Sequence, residues 1–169
     1  MASELLKKLP EGVSNFATIN VGGKTSRDLN RELRRNHIDI GSGYRYLLKV
    51  PRFLSIENRE VIDLVSVNID KLKLEDTRPT TEDIYVAGKH LGLEACPFET
   101  IPELLIQFAN KPKFDSLMIM TFWGQGGDPQ IVFQTMVSKE HKGKKETGGS
   151  ISPPGGRHDS DWEYVFLLP

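Results

Sequence analysis

Apolar and polar positions alternate over Phe16-Ala17-Thr18-Ile19-Asn20-Val21, the two-residue period of a strand, and Gly22-Gly23 ends it. Residues 3–9 upstream predict one short amphipathic turn, closed by Pro10. From Ser26 to about Asn36 the period lengthens. Leu29 and Leu33 fall on one helical face, and Arg27, Arg31, Arg34 and Arg35 lie elsewhere, with Ser26 expected at the N-cap. A Gly41-Ser42-Gly43 turn leads to a second short helix over 44–50, stopped by Pro51. Residues 61–72 alternate again, and their first part reads as a strand. Thr80 followed three residues later by Asp83 forms a capping-box-like start. A helix over 81–91 follows, with Gly92 in the usual closing position.

Pro102 is tolerated in a first helical turn, which places a helix over about 102–110. Two dense apolar runs, 117–123 and 130–137, read as strands joined by the wide hairpin loop Gly124-Gln125-Gly126-Gly127-Asp128-Pro129. Residues 138–161 are rich in Lys, Gly, Ser and Pro and predict a mobile loop, and 164–168 a last strand. The order is α+β rather than strictly alternating. We expect a single domain over 1–169, with helices packed on a mostly antiparallel sheet and a carboxy-terminal hairpin plus final strand. A weak sub-boundary near 73–79 is conceivable, but each half is small for a core of its own.

Composition narrows the classes. Lys+Arg (22) and Asp+Glu (23) nearly cancel, so a net charge of -1 exerts no global pull toward nucleic acid or an anionic membrane. No run approaches the ~20 apolar residues that span a bilayer, and residues 1–8 lack the apolar core of a signal peptide. The lone cysteine, Cys96, cannot form an internal disulfide. The expected compartment is the cytoplasm, without a membrane partner.

Several stretches carry candidate chemistry. Gly22-Gly23-Lys24-Thr25-Ser26 sits between strand and helix as a phosphate-binding loop does, but Thr18 stands where that pattern needs glycine. A helix-capping turn is the simpler reading. Residues 24–52 are basic and outline a helix-turn-helix, yet Tyr44, Tyr46, Leu47 and Leu48 look like core rather than base-reading groups. Nucleic acid is therefore not the expected partner. Cys96, before Pro97, would need a nearby base that the sequence does not place, and His90, His141 and His158 are all remote. Metal ligands at zinc-knuckle spacing are absent, and Asp159-Ser160-Asp161 lacks the rest of a calcium loop, so neither metal nor cofactor is expected. The stretch 155–163 is more suggestive. Arg157 offers a bidentate fork for a carboxylate or phosphate, beside His158, Asp161 and an amphipathic Trp162.

Residues 80–137 carry a longer pattern: Asp83-Ile84-Tyr85, Leu91-Gly92-Leu93-Glu94, Cys96-Pro97, Glu99, Pro102, Lys111-Pro112, then Gly127-Asp128-Pro129 before Ile131-Val132-Phe133. This resembles a family of small uncharacterised bacterial proteins with a Leu-Gly-Leu-Glu-x-Cys-Pro-x-Glu motif. The chain departs from it at Leu105-Ile106-Gln107-Phe108, where the family is more charged. The resemblance implies one continuous domain and no catalytic residues.

The expectation is a non-enzymatic binding or interaction module for an unidentified protein or small molecule. Its pocket is expected between the 94–99 turn and the 157–162 loop, lined by Glu94, Glu99, Arg157, His158, Asp161 and Trp162. The alternatives are a small hydrolase or transferase using Cys96 or His158 with nearby carboxylates and, more weakly, nucleic-acid binding through 24–52.

Overall fold

The computed structural model describes residues 8–40, 48–49, 56–108, 116–123, 130–141, 144–148, 151–152, 154–159 and 162–169. The expected turn at 3–9, the helix at 44–50, the loop at 124–129 and Asp161 lie wholly or largely outside them.

Strand β1 (Val13–Val21) follows the expected alternation and pairs antiparallel with β3 (Glu60–Asn68), with a bulge between Asn15 and Ala17. Between them, α1 (Ser26–Arg35) starts at the residue expected to cap it, so its cap lies one residue earlier than expected. Thr25 is the N-cap, because Asp28 three residues on completes a reciprocal box. A short strand β2 (Asp39–Ile40) follows. The Thr80–Asp83 box opens α2 (Thr81–His90), and Gly92 follows its C-cap Leu91. Next, α3 (Thr100–Gln107) begins two residues ahead of Pro102. Strands β4 (Ser116–Trp123) and β5 (Gln130–His141) pair antiparallel, as expected of the hairpin. Strand β6 (Lys144–Gly148) pairs with β5, β7 (Ile151–Ser152) also meets β5, and β8 (Glu163–Leu168) closes the series.

The loop expected over 138–161 is corrected: its first half is ladder. Lys139 opposes Glu146 and Glu140 opposes Lys145. The segment lacks the apolar alternation that marks a strand in sequence, which is why composition hid these strands.

The strands run β1-β3-β8-β4-β5-β6-β2 in one α+β sheet, mostly antiparallel, with β4–β8 and β2–β6 parallel. Alternation buries both faces of its centre. Val65, Val67, Tyr164, Phe166, Met118 and Met120 face one side, beneath Ile84 of α2. Ile62, Leu64, Val165 and Ile119 face the other, beneath Ile101 and Leu104 of α3. A third cluster joins Leu29 and Leu33 of α1 to Ile38, Ile40, Leu48 and Phe98. Two glycines fit specific contacts. Gly22 holds φ at +77°, and any Cβ there would collide with Ile56 and the Asn58 carbonyl. Gly88 lets α2 lie directly on the Phe166 ring.

Candidate functional site

Residues 154–159 lie across the start of α2. The Thr81 N–H donates to the Gly156 carbonyl (2.9 Å) and the Glu82 N–H to that of Pro154 (3.1 Å). The His158 N–H reaches the Pro79 carbonyl at 3.0 Å. The helix start, a ready anion site when open, is thereby occupied by the chain itself. Arg157, the expected anion fork, sets Nη1 2.7 Å from Asp76 and donates to the Arg78 carbonyl at 2.8 Å. Arg78 in turn pairs with Asp159 at 3.0 Å.

His158 is buried, with Nε2 2.7 Å from Thr81 Oγ1 and its ring edge-on to Tyr164. Burial lowers its pKa, against a small opposing pull from Asp159, so the imidazole is neutral near pH 7. Trp162 is half-buried against the first-face cluster.

Across the molecule, Glu94 bridges Leu167 through both backbone groups, and its carboxylate lies 3.4 Å from Lys89. The Cys96 thiol is buried 3.9 Å from the Val165 carbonyl, and desolvation pushes its pKa far above that of an ordinary thiol. Cys96 packs on the Val165 face of the sheet, whereas His158 stacks on Tyr164, one residue along β8 and on the opposite face. The fold does not bring them together as nucleophile and base. Glu99 is buried and accepts the Ile56 N–H at 3.0 Å. Glu103, one turn further along α3, is also buried and receives Lys24 at 3.0 Å.

Lys24 also reaches Glu32 at 2.7 Å. Burial lowers the Lys24 pKa, but hydrogen bonds to Glu32 and Glu103 outweigh it and hold it above an ordinary lysine. The lysine of the phosphate-loop-like turn is thus a tie between α1 and α3. Among the described residues, no three His, Cys, Asp or Glu side chains gather into a metal-binding group, and no helix is long and apolar enough to cross a membrane.

Of the concave surfaces formed by described residues, two stand out, and none of Glu94, Glu99, Arg157, His158 or Trp162 lines either. The larger, about 830 Å³, spreads over three neighbouring strands, β1, β3 and β8, on the β1 side of the sheet. It is walled by residues 15–18 of β1, 60–64 of β3, Leu9 and 167–169. Glu60 and Asp63 are its charged side chains, and Val61 stands 65% exposed within it.

Beside this cleft lies a contact that sequence reasoning missed. The Asn20 N–H donates to Gln107 Oε1 at 3.0 Å, and Gln107 Nε2 donates to the Asn20 carbonyl at 2.7 Å. The glutamine amide thus stands where a neighbouring strand would. By the two-residue period, the backbone of exposed Thr18 points outward in the same direction. Asn20 and Gln107 are 87 residues apart, and no local pattern links them. The smaller hollow, about 500 Å³, is lined by Arg27, Asn30, Arg31, Arg34 and Arg35 of α1. Comparison with family models, curated proteins and solved structures finds no significant match to this chain.

Proposed function

We propose that this chain is a non-enzymatic interaction module that takes up an extended segment of a partner protein along the outer edge of β1. The observation that carries the reading is the two-point hold of Gln107 on the Asn20 backbone. An edge strand presents unpaired N–H and C=O groups. Here one outward pair is occupied by a side chain, while the next, at Thr18, stays exposed beside a cleft. That is the arrangement for adding a strand: main-chain hydrogen bonds supply affinity and flanking side chains supply selectivity.

The cleft chemistry defines the occupant. Glu60 and Asp63 supply negative charge, no lysine or arginine among the described residues lines the cleft, and Val61 offers apolar area. The partner segment is therefore extended, β-branched and basic. A hydrolytic reading has no comparable support, because Cys96 and His158 are buried on opposite faces.

The test uses immobilised ten-residue peptides that alternate Val or Thr with either Lys or Glu. The basic series should retain the protein and shift the Thr18 amide resonance. Thr18→Pro removes the outward N–H and also the hydroxyl's 2.6 Å hydrogen bond to Asp63 of β3, so Thr18→Val, which loses only the latter, is its control: the proline variant should abolish retention and the valine variant should keep it. Equal retention of acidic and basic peptides, or resonance changes confined elsewhere, overturns the reading.

A further inference from the structure

We propose that the outward face of α1 is a contact surface for the phosphate backbone of double-stranded nucleic acid. Arg27, Asn30, Arg31, Arg34 and Arg35 fall within about 140° of arc at 100° per residue, opposite the buried Leu29 and Leu33. From Arg27 to Arg35 the stripe runs about 12 Å along the axis at 1.5 Å per residue. A nucleic-acid strand offers one phosphate per about 3.4 Å of duplex axis, so a stripe of this length faces three or four.

The acids that would neutralise this face are engaged elsewhere. Glu32 is drawn to Lys24 at 2.7 Å. Asp28 serves the Thr25 cap and makes one exposed pair with Arg31 at 3.3 Å. Among the described residues, Arg27, Arg34 and Arg35 have no carboxylate within ion-pair distance. Helix polarity explains Arg34 and Arg35, since cations favour the last turn. It does not explain Arg27, which sits in the first turn, where the dipole disfavours a cation. An anion on the outer face accounts for all four.

Further features select the duplex. The stripe carries no aromatic ring on which to stack the bases of a single strand. It carries no apolar side chain to enter a lipid interface. Four of its five positions are arginine, whose planar fork matches phosphate, and none is lysine. The sequence argument against helix-turn-helix base reading does not touch this surface, because backbone contact needs no reading helix.

The experiment measures polarisation of a fluorescein-labelled 20-base-pair DNA duplex, with a duplex RNA, a single strand and polyglutamate as competitors. Four phosphate contacts predict a slope of log affinity on log salt near -3.6, or roughly a hundredfold loss between 50 and 200 mM. Arg27→Gln/Arg31→Gln should lower the slope by about two units, and replacing all four arginines should cost at least tenfold at 50 mM. Melting temperature should hold in both variants, because all four side chains are exposed. Thr18→Pro should leave this binding unchanged, which separates it from the peptide edge. If the fourfold variant fails to fold, the double variant decides. The proposal is overturned by no binding at 50 mM salt and 100 µM protein, by an unchanged slope in the double variant, or by the single strand or polyglutamate competing better than either duplex.

Discussion

Replacing Gly88 by alanine sets two effects of known size against each other. In an exposed helix the change gains about 1 kcal/mol, since glycine is that much poorer a helix former. In α2, however, the added Cβ would stand 2.6 Å from Phe166 Cε1, 2.9 Å from Cζ and 3.2 Å from Cδ1. Carbon pairs settle at roughly 3.5–4.0 Å, so three contacts are too close at once. Phe166 is fully buried in the middle of the sheet, so its ring has no solvent to retreat into. Overpacking of this kind costs about 1–3 kcal/mol, and three simultaneous clashes place it at the upper end. The net expectation is about 2 kcal/mol of destabilisation, or a melting temperature lower by about 4–8 °C for a chain of this size. Calorimetry on Gly88→Ala measures it. Phe166→Leu should recover space, so the double variant should be at least about 1 kcal/mol more stable than the summed single effects. A Gly88→Ala protein that melts at or above the wild type refutes the close approach of α2 to the sheet.

Two further outcomes follow from buried groups. Because burial lowers the His158 pKa below its ordinary 6.5, the unfolded chain takes up the proton first as pH falls. Stability is therefore fully present above pH 6.5 and declines below it, until the folded pKa is reached. Asp28, Asp76 and Asp83, held below 3.8 chiefly by hydrogen bonds, act only at lower pH. His158→Gln should flatten melting temperature between pH 7 and 5, and an unaltered slope would assign the effect to another group. Cys96 should resist a disulfide reagent at pH 8 in the native protein and react fully in denaturant; native labelling at the rate of a free thiol would contradict its burial.

Elements governed by neighbours in sequence were legible. Leu29 and Leu33 marked the inner face of α1, Thr80 with Asp83 marked the start of α2, and the alternation of 16–21 marked β1. What escaped depends on partners far along the chain. Arg157 reads as a free anion fork until Asp76, 81 residues away, closes on it. Glu94 and Glu99 look alike in sequence, but one is tied to exposed Lys89 and the other buried on the Ile56 N–H. The arginines of α1 were visible from the first; that Glu32 turns away from them to Lys24 was not.

The place of β8 in the sheet bears on how the protein comes to be made. This strand is the last of the described elements, yet it lies between β3 and β4 at the centre. Val65 meets Phe166 across about a hundred intervening residues. Until residues 163–168 leave the ribosome, β3 and β4 each expose an unfilled edge, and both buried faces lack Tyr164, Val165 and Phe166. Such distant pairing is slow, and the waiting edges invite intermolecular pairing. Synthesis of this chain therefore leaves an interval in which a chaperone has a defined surface to shield. The six-residue segment supplied separately is a natural complement for a chain ending before Glu163.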